Sequence, residues 1–153
     1  VPVTLRPYAP DDFETLYQID QACYPPGIAY SKRALRWFLR LPSAECLVAE
    51  AEGRMAGFVL AEHLGAVGHL ITIDVLEPHR QRGVGTALLS AMEQKFTARG
   101  VREIELETAT DNHAAVAFWH KHGYRTVRVL RRYYSDNLDA FFMLKPLATA
   151  KET

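Results

Sequence analysis

Arg80-Gln81-Arg82-Gly83-Val84-Gly85-Thr86 decides the fold. An apolar run ending in Ile71-Thr72-Ile73-Asp74-Val75 and then Pro78 lead into it. Val84, Leu88, Met92 and Phe96 follow at helical spacing. A strand, a glycine turn and a helix start, in that order, build an anion cradle. The first N–H groups of a helix have no intrahelical acceptor, and the helix dipole adds partial positive charge there. Gly83 and Gly85 carry no side chain to hold a phosphate off the backbone, and Arg80 and Arg82 add positive charge. The pattern predicts a bound pyrophosphate. A turn that only rounds a tight corner would use the same glycines.

Working outward, residues 3–7 read as a first strand, and Asp11 and Asp12 open a helix that Pro25-Pro26-Gly27 stops. Ser31 caps a second helix reaching about Leu41. Strands over 46–50 and 55–62 flank the turn Ala51-Glu52-Gly53-Arg54, and a third covers 69–75. The helix after the cradle ends at Gly100, suited to a left-handed cap. Residues 103–109 alternate charged and apolar. Thr110, Asp111 or Asn112 caps a shorter helix ending near Gly123, and strands over 124–134 and 140–147 close the chain. The order β-α-α-β-β-β-α-β-α-β-β, with hairpins beside strand-helix-strand crossovers, implies an α/β fold of α+β type, one mixed sheet with helices on its faces.

The 153 residues suit a single domain, with 48% hydrophobic and 24% charged content and a formal net charge of zero. No basic field argues for nucleic acid, no run approaches the ~20 apolar residues of a membrane span, and the first residues lack a signal-peptide core. Cys23 and Cys46 read as reduced thiols of a cytoplasmic protein. The six histidines suggest no metal set.

Three phosphate-binding patterns compete at the glycine turn. A Walker loop needs Gly-Lys-Ser or Gly-Lys-Thr, whereas Gly85 is followed by Thr86-Ala87. A dinucleotide fingerprint needs Gly or Ala where Leu88 stands. The third, Arg or Gln, two residues, Gly, one residue, then Gly or Ala, fits Arg80, Gly83 and Gly85. Together with Glu107, Asn112, Ala115 and Gly123-Tyr124, the chain resembles the GNAT superfamily of acetyl-CoA-dependent N-acetyltransferases. The resemblance spans nearly the whole chain and is sharpest over residues 71–134. Leu106-Glu107-Thr108-Ala109-Thr110-Asp111-Asn112 and Arg131-Arg132-Tyr133-Tyr134 are most similar to the RimI type, which acetylates protein N-termini.

The resemblance implies splayed central strands, with a bulge parting the strand before the glycine turn from the strand after its helix. Ile73, Asp74 and Val75 would line the pantetheine arm of acetyl-CoA. Gln81, Arg82, Gly83, Val84, Gly85 and Thr86 would cradle the pyrophosphate. Asn112 would touch the cofactor, or serve as a plain helix cap, or both. Tyr30, Tyr133 and Tyr134 would hold the acceptor, with the tyrosine pair on a strand beside the cleft. The acceptor would be a protein or peptide N-terminus, or else a small amine, and the enzyme a monomer or homodimer. A CoA-binding sensor without turnover is the remaining alternative.

Acetyl transfer to an amine needs a proton sink, an N–H aimed at the carbonyl oxygen, and a proton source for the departing sulfur. By resemblance, Val75 N–H is the oxyanion donor and Glu107 the general base. Ile104, Leu106 and Ala109 suggest a partly dry strand around Glu107, which would raise its pKa, although Glu103 and Glu105 share its parity and would suit a solvent-facing row. The RimI type carries an acidic tyrosine twelve residues after the glutamate, and here that position is Trp119. Tyr124, Tyr134, His120 or a water would then supply the proton; a thiolate of pKa ~8.5 leaves with little help.

Overall fold

The computed structural model describes residues 2–134 and 137–148. Its elements are β1 (Val3–Pro7), α1 (Phe13–Cys23), α2 (Lys32–Leu39), β2 (Ala44–Ala51), β3 (Arg54–Leu64), β4 (Val67–Val75), α3 (Val84–Ala98), β5 (Glu103–Ala109), α4 (His113–Lys121), β6 (Arg125–Leu130) and β7 (Ala140–Pro146). The strands form one seven-stranded sheet in the order β1-β2-β3-β4-β5-β7-β6. Every neighbouring pair is antiparallel except β4 and β5, which run parallel because α3 carries the chain back between them.

Both faces of the central sheet are covered. Val59, Ala61 and Leu70 pack with Leu88, Met92 and Phe96 of α3, while Phe58 and Leu60 pack with Leu16 and Ile19 of α1 and Leu35 of α2. This two-sided burial explains why β3 reads as a nearly continuous apolar run. The expected stripe Val84, Leu88, Met92 and Phe96 is buried. Local signals hold the helix ends. Ser31 Oγ accepts the Ala34 N–H at 3.1 Å to start α2. Gly100, at φ 84°, turns the chain after α3, and Val101 N–H donates back to the Phe96 carbonyl.

Two features of β4 position the site. Its register against β3 passes from Leu60↔Thr72 to Ala61↔Leu70, so Ile71 is an extra residue, a bulge. The bulge reverses the facing of the residues after it: Leu70 belongs to the α3 core, whereas Thr72 and Asp74 lie opposite Leu60 and Phe58 of the α1 core. Second, β4 pairs with β5 only through Val67, Gly68 and His69, the last opposite Glu105. Beyond His69 the two strands part, giving the splay expected from the resemblance.

One expectation is corrected. The strand predicted over 124–134 is only Arg125–Leu130. Arg132 takes φ 53°, a left-handed turn that ends extended backbone, so Tyr133 and Tyr134 lie on the connection to β7. Among the described residues no helix is long and apolar enough to cross a membrane.

Candidate active site

The free edge of β4 forms one wall of the gap. Leu76 N–H donates to the Ala56 carbonyl, and the register continues through Phe58↔Asp74 and Leu60↔Thr72. In an antiparallel ladder hydrogen-bonded pairs alternate, so Thr72 and Asp74 spend their backbone groups on β3. Ile73 and Val75 turn theirs the other way, toward the gap. The carbonyls there have side-chain donors. Tyr24 OH donates to Ile73 O at 2.9 Å, Tyr30 OH to Ile71 O at 3.4 Å, and Arg80 Nε to Val75 O at 2.8 Å. The end of α1 and the loop after it are thus pinned along this edge.

Of the three residues expected to line the arm, Ile73 and Val75 present backbone to the gap. Asp74 does not: its carboxyl is buried on the α1 face, where Thr72 Oγ1 donates to it at 2.5 Å. Tyr24 is a site residue with no sequence signal, because a lone tyrosine before Pro25-Pro26 says nothing of its reach to β4.

At the fork between β4 and β5, His69 Nε2 lies 2.7 Å from Glu107 Oε1. The Glu107 side chain is 15% exposed and that of His69 32%. Burial opposes charging His69, but the hydrogen bond and the negative charges of Glu107, Glu105 and Glu62 outweigh it and hold the imidazole pKa above its ordinary value. The Tyr133 phenol lies beside the same carboxylate. Burial and the Glu107 charge push the phenol up to about 12. Tyr134 stacks edge-on against Tyr133 with centroids 5.0 Å apart, and both Tyr134 and Tyr30 feel the Glu107 charge. Burial raises both phenols, so all three tyrosines stay protonated donors near neutral pH. Tyr30, Tyr133, Tyr134 and Glu107 therefore gather in one cluster, to which the structure adds His69.

The glycine turn has the form the sequence predicted. Gln81 and Gly83 take φ 61° and 84°, and Arg82 and Thr86 are exposed. The first intrahelical bond runs from Ala87 N–H to Gly83 O, so the N–H groups of Val84, Gly85 and Thr86 precede it and open toward the turn. A Cβ on Gly83 would meet no atom within 4 Å, so its requirement is the left-handed backbone. Gly85 has a packing reason as well: a Cβ there would lie 3.3 Å from the Phe118 ring of α4. Val84 itself is buried. Arg80 folds back onto Val75, leaving Arg82 as the outward cation. Thr86 Oγ1 lies 3.1 Å from His122 Nε2. Asn112 caps α4, its Oδ1 accepting the Ala115 N–H at 3.1 Å, and its amide NH₂ keeps donors for a carbonyl ligand. The exposed donors and the open edge of β4 suit a chain-like phosphate ester.

The proton sources named from the sequence separate in space. Tyr124 is 1% exposed and donates to Glu93 Oε2 at 2.8 Å, in the core on the α3 face. Trp119 is 5% exposed in the same core, edge-on to Tyr124 and Phe118. His120 is exposed, 3.4 Å from Thr126. Only Tyr134 belongs to the cluster at Glu107. Among the described residues, no three His, Cys, Asp or Glu side chains gather as a metal site.

The sequence matches the acetyltransferase (GNAT) family over residues 13–124. An N-alpha-acetyltransferase of Sulfurisphaera tokodaii is 35% identical over 117 residues, 68% of this chain and 70% of that protein. N-alpha-acetyltransferase 30 of Schizosaccharomyces pombe is 31% identical over 150 residues, 94% of this chain and 99% of that protein. The crystal structure of the ribosomal-protein-S18-alanine N-acetyltransferase from Escherichia coli superposes with TM-score 0.88 at 24% identity, covering 99% of this chain and 98% of that one, and shares the fold. The cradle, the splayed strands and these likenesses agree: the chain belongs to the GNAT family and is an N-acetyltransferase.

Proposed function

We propose that the enzyme transfers the acetyl group of acetyl-CoA to the N-terminal α-amine of a protein or peptide, with Glu107 as general base. The observation carrying this reading is the half-buried Glu107 carboxylate at the fork of the splayed strands, hydrogen-bonded by His69 and facing the Tyr133 phenol. Bound acetyl-CoA supplies a thioester carbon open to attack. The donors of Val84, Gly85 and Thr86, with Arg82, would hold its pyrophosphate. Ile73 and Val75 would meet its arm through backbone, and Val75 N–H would face the carbonyl oxygen as charge develops there.

Glu107 would take the amine proton, directly or through a water, and His69 would stabilise the carboxylate until then. Tyr30 and Tyr133 would orient the acceptor. Tyr134, a protonated phenol in the same cluster, would return a proton toward sulfur. An α-amine titrates near ~8 and is already partly neutral at cellular pH, whereas a lysine near ~10.4 is almost wholly charged. A single carboxylate base suits the former.

Thiol release from acetyl-CoA against free N-terminal peptides, lysine, polyamines and small amines tests the reading. Preference for the peptides supports it. Preference for small amines shifts the acceptor class, and no release with any amine, despite CoA binding, makes the protein a sensor.

A further inference from the structure

Asp20 and Asp74 are the least expected residues in the core, 0% and 1% exposed beneath the acceptor side of the sheet. Each uses one oxygen on a clear donor. Asp20 Oδ2 accepts the Tyr30 backbone N–H at 2.7 Å, and Asp74 Oδ1 accepts the Thr72 hydroxyl at 2.5 Å. The other two oxygens, Asp20 Oδ1 and Asp74 Oδ2, are buried with no hydrogen-bond partner among the described residues, and the two carboxyls interact with each other. Two bare carboxylates facing one another in an apolar setting repel and are poorly solvated. One proton turns the same contact into a charge-assisted O–H···O⁻ bond and satisfies both orphaned atoms.

We propose that Asp20 and Asp74 share a single proton and act as a positioning pair that clasps the acceptor wall to β4. Burial, then the neighbouring Asp20, raises the Asp74 carboxyl well above the ordinary carboxylate range, so Asp74 holds the proton and donates to Asp20. The bond joins the last turn of α1 to the residue before Val75. Through Tyr30 N–H it also fixes the start of the loop's return, next to Tyr24, whose hydroxyl donates to Ile73 O at 2.9 Å. The other groups facing the pair are Cys23, Tyr24 and Tyr30 from the α1–α2 side, Arg80 from the glycine turn and, against Asp74, Cys46 of β2. Arg80 favours the charged carboxylate but does not overcome burial. Neither aspartate need touch substrate. They set the distance between Tyr30 and the gap, a role that rests on the proposed acceptor cleft.

Infrared spectroscopy of the substrate-free enzyme tests the shared proton. The wild type should show a protonated carboxyl stretch near neutral pH, and Asp20→Asn should lose it, because the new amide donates to an ionised Asp74. Absence of the band in the wild type, or its persistence in Asp20→Asn, overturns the proton assignment. Kinetics test the positioning. Asp20→Asn should keep the acceptor KM within about three-fold, whereas Asp20→Ala should raise it at least about ten-fold with a smaller change in kcat. An unchanged acceptor KM in Asp20→Ala overturns the clasp. The spectroscopic result is independent of which amine is used, so failure of the acceptor reading would show separately, as absent peptide turnover with the band intact.

Discussion

His69 Nε2 and Glu107 Oε1 sit 2.7 Å apart at the point where β4 and β5 separate, 38 residues apart in the chain. His69 is the last residue of β4 paired with β5, opposite Glu105, and Glu107 lies two residues further along, where the gap has opened. The pair therefore marks the innermost wall of the cleft. The carboxylate accepts from the ring N–H and keeps 15% of its side chain exposed.

Glu107→Gln keeps the size of the side chain and removes its basicity. The maximal rate of thiol release should fall about 10²–10⁴-fold. An unchanged rate at saturating substrates would remove Glu107 from the chemistry.

The raised pKa of His69 sets the sign of its effect on stability. Below ~6.5 the ring is charged in folded and unfolded chains alike and its attraction to Glu107 is fully present; this is lost as pH rises through the raised folded value. The Tm advantage of wild type over His69→Gln should therefore shrink from about pH 6 to about pH 9. A Tm difference that stays constant over that range would contradict the coupling.

Gly83→Ala should cost about 1–2 kcal/mol from the left-handed backbone alone, since a Cβ there meets no neighbour. Gly83→Asn should cost less. Denaturant unfolding measures both, and equal stability of all three proteins would mean the turn relaxes.

Tyr124→Phe should leave kcat unchanged and lower stability by about 1 kcal/mol, the worth of its hydrogen bond to Glu93. Glu93 keeps its ion pair with Lys145 at 2.9 Å in that variant. A large loss of rate would restore Tyr124 as a proton source.

Much of this arrangement is legible in the chain because it is local. The cradle needs only a strand, Gly83 and a helix start within a dozen residues. Ser31, Asn112 and Gly100 act on backbone groups one to five residues away. The alternation of 103–109 announces a strand, with Glu107 on the face opposite Leu106. The tyrosine pair is legible as residues but not as geometry: left-handed backbone at Arg132 takes Tyr133 and Tyr134 off the strand predicted for them.

The sequence by itself determined the order of elements and the strand–glycine turn–helix start, and singled out Glu107 as the candidate base, because turn chemistry and side-chain periodicity act over a few residues. Only the tertiary structure decided which residues meet across the gap. One extra residue at Ile71 reverses the facing of β4, sending Asp74 to Asp20 rather than into the α3 core. The end of the parallel pairing at His69 sets where the fork lies, and so brings an otherwise unremarked histidine to Glu107. Register is a property of two strands together, and no pattern along a single stretch of chain encodes it.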